Sequence, residues 1–352
     1  MCKASVSRRL FIPGTGGCFF HDAAGKAVGS VLDLALDHQR DFVCQHDPDP
    51  NVLAPIHTSG RKDPAGHPLE LSAGGPIRAV YTPFFDQVHA ASTRKVYTFY
   101  NYDWRLDLRF NGARLWHLLE TSGDAQPWDI VCHSQGGFLL TWASILAGPA
   151  AFRRFVRRVV FFGVGLQGTV NAVEALLDGF QLAPQIKATA ATVRSWPSIY
   201  QMLPRWRLRV PGTTGIEIFK SSTWKNAERL APGPDLSQGI SESLLRRAQA
   251  WKAALDNQTF DALRSVERLV FVQGDNINTR ARIPAFPRLP DLGHQDGDIV
   301  VRGDGLVPMD LTLSLLPQAL RARIDSIVTP VPSHIWMCSD QNQLDLCERI
   351  FH

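Results

Sequence analysis

The chain has 352 residues, of which 45% are hydrophobic and 20% charged, the composition of a folded globular protein large enough for one extended core with insertions. A net charge of +4 is too small to point to nucleic acid as a partner, although local basic patches can still meet an anionic surface. No run of about 18 apolar residues is present to span a membrane, and MCKASVSRRLFIPG lacks the apolar stretch of a secretion signal, so a cytoplasmic location is expected.

Taken in chain order, short β-branched or aromatic runs are predicted as strands at Arg9–Ile12, Lys95–Tyr100, Trp128–Cys132, Arg158–Phe162, Leu269–Val272 and Ser326–Val331. Several are almost continuously apolar, as parallel strands buried on both faces are. Helical patterns fall at Leu106–Glu120, Gly137–Leu146 and Asn342–Phe351. The alternation implies one α/β domain over residues 1–352, with a mostly parallel sheet and helices on both faces. Two long segments interrupt it, Cys44–Pro76 and Gly168–Glu267. Structureless loops of such length usually cover a site, so the first is expected to be a loop excursion over it and the second a cap or lid. The six cysteines (2, 18, 44, 132, 338 and 347) show no CxxC and no zinc-like spacing, which suits free thiols better than disulfides or a metal site.

Ser134 stands between the strand WDIV and the helix GGFLLTWASIL. It is either a helix cap or a nucleophile. Cys132-His133-Ser134-Gln135-Gly136 differs from the nucleophile elbow G-x-S-x-G only at its first position and has the strand-turn-helix context that motif requires. The turn brings two backbones together, so the residues two before and two after the serine must be small. Gly136 and Gly137 meet that demand, and Cys132 is a tight substitute.

A serine hydroxyl needs a base, and the base needs an acid to fix its tautomer. His334, in SIVTPVPSHIWMC, follows the last strand where a base is expected, whereas His133 beside the serine would point away from it. For the acid, Asp275 follows the fifth strand directly and Asp304 lies in the turn Gly-Asp-Gly, which presents a carboxylate at a loop tip; Asp304 is favoured over Asp275. Donors for an oxyanion are expected from PGTGGC, Pro13–Cys18, whose glycines permit close approach of backbone to ligand. The segment fails both phosphate-loop patterns. Its candidate donors are the N–H groups of Thr15 and of Gln135, next after the serine.

Five segments in order, IPGTGG, NYDWRLD (Asn101–Asp107), CHSQGG, GDGLVP and PSHIWM, together resemble the lecithin:cholesterol acyltransferase family of α/β-hydrolases and span nearly the whole chain. The resemblance implies an α/β-hydrolase fold with Ser134 as nucleophile, Asp304 as acid, His334 as base, and Thr15 with Gln135 as oxyanion donors. It further implies that Trp196–Pro204 belongs to the cap and that Asp103, Trp104 and Arg105 help to build the floor of the site, unless they form a turn held by an Arg–carboxylate pair. The chain departs from the family in carrying Cys132 where glycine is usual, and in lacking the signal peptide and disulfides of secreted members.

The function expected is that of a serine acyl-ester hydrolase or O-acyltransferase acting on a lipid ester, with no cofactor, no metal and no nucleic acid. The alternatives are a soluble carboxylesterase of small or polymeric esters and a non-catalytic binding protein on the same fold. Transient contact with a membrane surface is suggested by Arg205, Arg207 and Arg209 alternating with Trp206, Leu208 and Val210, and by Arg153, Arg154, Arg157 and Arg158, read as one helical face. Solvated faces share that pattern.

Overall fold

The computed structural model describes residues 8–22, 27–29, 58–62, 68–89, 97–122, 126–183, 186–205, 217–225, 239–280 and 300–352. Six strands form the central sheet: β1 (Arg8–Ile12), β2 (Tyr97–Phe99), β3 (Trp128–His133), β4 (Val156–Phe162), β5 (Arg268–Gly274) and β6 (Ile324–Thr329), in the order β2-β1-β3-β4-β5-β6. Every neighbouring pair is parallel. Successive residues of a strand face opposite sides, and here both sides are core. Leu10, Ile130, Val159 and Leu269 face one apolar cluster, while Phe11, Val131, Val160 and Val270 face another. Burial on both faces explains the unbroken apolar runs.

The helices include α1 (Arg78–His89), α2 (Leu108–Thr121), α3 (Gly136–Phe155), α4 (Val170–Asp178), α5 (Pro197–Gln201), α6 (Glu242–Asp256) and α7 (Gln341–Phe351). Tyr81 and Phe84 of α1 and Leu344, Cys347 and Ile350 of α7 cover one face of the sheet; α2 to α6 supply residues to the core on the other. Local chemistry sets the ends. Asp107 accepts the Arg109 N–H at 2.9 Å to start α2, Thr169 caps α4 and Asp340 caps α7. Gly148, at φ 69°, interrupts α3 just before Pro149, which is why the helical pattern is legible only to Leu146. Among the described residues no helix is long and apolar enough to cross a membrane.

Two boundaries differ from expectation. The last strand lies two residues earlier than predicted, at Ile324–Thr329, because Pro330 has no N–H to continue a ladder. The four arginines of AFRRFVRR do not share a helical face: α3 ends at Phe155, and Arg157 and Arg158 belong to β4. The β-branched and aromatic residues Val156 and Val159–Phe162 draw this segment into the sheet. Trp128 pairs with Val156 but Asp129 with Arg158, so Arg157 is the extra residue of a bulge, and its guanidinium forms a bidentate pair with buried Asp129. Arg158 approaches Glu267 at 3.8 Å.

The two excursions contain regular structure. Thr58–Lys62 and Pro68–Pro76 join Cys18–Asp22 and Ala27–Gly29 in a four-stranded antiparallel sheet; residues 44–57 of the first excursion lie outside the described residues. Residues 168–267 contain α4, a hairpin of Phe180–Ala183 with Ile186–Ala188, then α5 and α6. A second hairpin, Ile277–Arg280 with Val300–Gly303, leads directly to Asp304.

Replacing Arg157 by alanine removes the bidentate guanidinium from the buried Asp129 carboxylate and is expected to cost about 2–4 kcal/mol in urea unfolding. Arg153→Ala, at an exposed position of the last turn of α3, is expected to change stability by less than about 0.5 kcal/mol.

Candidate active site

Ser134 follows β3 immediately and adopts φ 51°, one of two non-glycine residues at positive φ among the described residues. Its N–H extends the β3–β4 ladder to Phe162 O at 2.9 Å, and its carbonyl accepts the Gly137 N–H at 3.1 Å as α3 begins. The residue thus belongs to strand and helix at once. A Cβ on Gly136 would stand 2.5 Å from Ile12 O, and one on Gly137 2.2 Å from Val164 Cγ1, which explains the paired glycines. Cys132 occupies the other tight position and is wholly buried. Burial pushes its thiol well above the ordinary range and keeps it protonated.

The N-cap of α3 is Gln135, without a side-chain cap bond; the Ser134 hydroxyl is bonded elsewhere. Its Oγ lies 2.7 Å from His334 Nε2, and His334 Nδ1 lies 2.8 Å from Asp304 Oδ2. The other carboxylate oxygen of Asp304 accepts the N–H groups of Leu306 at 3.0 Å and Val307 at 2.7 Å. His334 N–H also donates to Asp304 O at 2.8 Å. A carboxylate at Nδ1 places the imidazole proton there and leaves the Nε2 lone pair facing the hydroxyl. Burial alone would raise the Asp304 carboxyl, but the charge and hydrogen bond of His334 and the two backbone donors outweigh it, so the group is held below its ordinary value. Gly163, at φ 55°, opens the space: a Cβ there would lie 2.9 Å from Asp304 Oδ2 and 3.0 Å from His334 Nδ1. Asp275, the other candidate acid, pairs instead with Arg302 across the hairpin.

The loop after β1 is fixed from several sides. Gly17 N–H bonds Gly14 O at 3.0 Å, Ile77 N–H bonds Gly17 O at 2.9 Å, and the Tyr102 hydroxyl donates to Pro13 O at 2.8 Å. Thr15 lines the cleft beside Ser134. Gln135 opens a helix, where the first N–H groups have no intrahelical acceptor, and its side chain is held by Tyr102 Oη at 3.1 Å and Trp104 O at 3.0 Å.

Asp103, Trp104 and Arg105 do not line the cleft. Arg105 makes a buried bidentate pair with Asp103, Nε–Oδ1 2.9 Å and Nη2–Oδ2 2.6 Å, and its guanidinium lies 4.4 Å from the centre of the Phe20 ring. Trp104 donates to Cys18 O at 3.0 Å. Of the three, Trp104 reaches the serine turn, where its carbonyl accepts the Gln135 side-chain N–H. Arg205, expected to alternate with apolar residues at a membrane surface, is instead paired with Asp256 and with Leu166 O at 3.2 Å; Trp206, Arg207, Leu208, Arg209 and Val210 lie outside the described residues.

Above Ser134 opens a cleft, partly exposed to solvent, with an apolar lining that includes Phe138, Ala172, Ala175, Phe180, Ile199 and Met202. Trp336, 44% exposed, also lines it. Among the described residues no group of three or more His, Cys, Asp or Glu is arranged to hold a metal. Sequence reasoning missed Tyr81, and it gave His133 no role. His133 lines the cleft with Ser134, and its Nε2 lies 2.9 Å from His334 O and its Nδ1 3.0 Å from Tyr81 Oη.

No protein-family model matches the sequence, and a comparison with curated proteins finds no significant match. Solved structures with similar architecture include a chain of the Tle4-Tli4 complex, 13% identical over 98% of both chains with a TM-score of 0.53. The mature lipase BlEst2 of Bacillus licheniformis is 12% identical over 99% of this chain and 93% of its own, TM-score 0.42. The peroxisomal α/β-hydrolase Lpx1 of Saccharomyces cerevisiae is 11% identical over 98% and 76%, TM-score 0.29. The six-stranded parallel sheet with helices on both faces is the α/β-hydrolase fold.

Burial, followed by the neighbouring His334, lowers His133 from 6.5 to about 3, so the folded protein keeps it neutral where the unfolded chain would protonate it. Stability from this group is fully present above about pH 6.5 and is lost as pH falls toward about 3. Asp304, lowered from 3.8, adds a loss only below about pH 4. Urea titrations between about pH 6 and pH 4 are therefore expected to show a decline in unfolding free energy of about 1.4 kcal/mol per pH unit that His133→Asn lacks. An equal slope in the variant would contradict this assignment.

Proposed function

We propose that the protein is a serine acyl-ester hydrolase whose substrate is a carboxylic ester with an extended apolar acyl chain. The observation that carries this is the chain of contacts from Asp304 through His334 to Ser134, at 2.8 and 2.7 Å, opening on an apolar cleft. Ser134 Oγ attacks the ester carbonyl while His334 Nε2 takes its proton, and the Asp304 carboxylate stabilises the imidazolium. The carbonyl oxygen becomes an anion facing the N–H groups of Thr15 and Gln135. Collapse breaks the ester C–O bond, and His334 returns the proton to the leaving alcohol. Water, activated by the same imidazole, then attacks the acyl-serine, releasing the carboxylic acid and restoring the Ser134 hydroxyl.

The lipid part of the proposal is supported by the cleft lining. Phe138, Ile199 and Met202 favour methylene groups, each worth about 0.8 kcal/mol when buried. Residues 168–267 act as the cap in this scheme, since Ala172, Ala175, Phe180, Ile199 and Met202 all come from it. The described part of the other excursion, residues 58–62 and 68–76, extends the antiparallel sheet begun by Cys18–Asp22, just after the loop that carries Thr15. The motif resemblance to the lecithin:cholesterol acyltransferase family adds an alcohol as a second acyl acceptor, and exposed Trp336 at the cleft offers an apolar contact to a lipid surface.

The test is hydrolysis of p-nitrophenyl esters of increasing chain length, and of phosphatidylcholine vesicles containing a sterol, by the protein and by Ser134→Ala. Preference for longer chains is expected, with a fall of about 10⁴-fold or more in kcat/KM for Ser134→Ala. Mass spectrometry of the vesicle products separates fatty acid from new ester. Equal rates for the two proteins would end the proposal.

A further inference from the structure

We propose that Tyr81 and His133 form a buried strut that fixes the spacing between the oxyanion loop and the base, so that both are positioning residues for the reaction. The kinetic consequence rests on the hydrolase function proposed above; the strut itself rests on hydrogen bonds. Gly14 N–H donates to Tyr81 Oη at 3.0 Å. Tyr81 Oη lies 3.0 Å from His133 Nδ1, and His133 Nε2 lies 2.9 Å from the carbonyl oxygen of His334. A carbonyl only accepts, so His133 Nε2 must carry the proton and Nδ1 must be the acceptor. The Tyr81 hydroxyl therefore donates to Nδ1, and its oxygen is free to accept from Gly14. Each joint allows one donor and one acceptor, and the order of protons is fixed from loop to base.

The strut spans elements that are remote in sequence. Gly14 follows β1 and His334 follows β6, and none of the hydrogen bonds among the described residues joins residues 13–17 to residues 333–336 directly. Tyr81 and His133 are 1% and 4% exposed. Two apolar side chains could fill this volume without desolvating a phenol and an imidazole, a cost that only well-made hydrogen bonds offset. Burial holds the phenol well above its ordinary value and the imidazole at about 3, so neither proton is exchanged in ordinary use. The rings are also packed in series: Tyr81 meets His133 edge-on with centroids 5.7 Å apart, and His133 lies 5.2 Å from the His334 ring. The kink of α1 at Tyr81, φ −123° and ψ 26°, is where the phenol enters this row.

Tyr81→Phe cuts the strut at the loop, and His133→Asn cuts it at the base, because the shorter amide reaches Tyr81 but not the His334 carbonyl. With p-nitrophenyl butyrate as probe, each variant is expected to lose about 10- to 100-fold in kcat with KM within about twofold. The double variant is expected to lose no more than the worse single one, as two cuts in one connection must. The low-field proton NMR signal of His334 Nδ1–H, which reports the bond to Asp304 without turnover, is expected to shift or broaden in both. Unchanged kcat and unchanged signal in Tyr81→Phe and His133→Asn, or a double loss equal to the product of the single losses, would overturn the strut. Should the wild-type protein hydrolyse no ester, the hydrolase proposal fails by itself, and the NMR signal alone decides for or against the strut.

Discussion

Ser134 is held at φ 51°, a backbone state that costs a non-glycine residue on the order of 1–3 kcal/mol and persists only where the surroundings leave no alternative. Here the N–H is tied into the sheet, the carbonyl starts α3, and on the helix side Gly136 admits the backbone of Ile12 and Pro13 while Gly137 admits the side chain of Val164. Relaxing the turn would break the β4 contact and pull the helix from the loop after β1. The sheet's apolar faces therefore supply the energy that keeps one serine strained, and the strain aims its hydroxyl at His334.

Charge is distributed around that serine with economy. Among the described residues Asp304 is the one carboxylate hydrogen-bonded to His334, and it is stabilised by two backbone N–H groups as well as by the imidazole. His133, adjacent to both, is kept neutral by burial. A second cation there would repel the imidazolium that the proposed reaction forms on His334. Around the cleft the lining is largely apolar, which lowers the local dielectric and strengthens each of these interactions. Asp103 and Arg105 cancel one another out of reach of the cleft.

Much of this was legible in the sequence because the fold is a doubly covered parallel sheet. Trp128–Cys132 and Arg158–Phe162 have no polar alternation to blur them, and the small residues around Ser134 are required by contacts within one turn. Asp304 and Asp275 were harder to separate. Both follow β5, and only the hairpin that pairs Asp275 with Arg302 decides which carboxylate faces His334. The arginines of AFRRFVRR misled because helical spacing continues across Phe155, whereas the bulge opposite Asp129 depends on a partner 28 residues away. Tyr81 could not be found by any local pattern: its contacts to Gly14 and His133 span 67 and 52 residues and depend on a kink in α1.

The proposed reaction requires Ser134 to be a nucleophile activated by His334. The most direct measurement is stoichiometric labelling with a fluorophosphonate, with the adduct mapped by mass spectrometry in the wild-type protein and in His334→Ala. One phosphonyl group on Ser134, formed at least about 100-fold more slowly when His334 is removed, is the expected result. No adduct on the folded wild-type protein, or a Ser134 adduct formed at the same rate without His334, would contradict it.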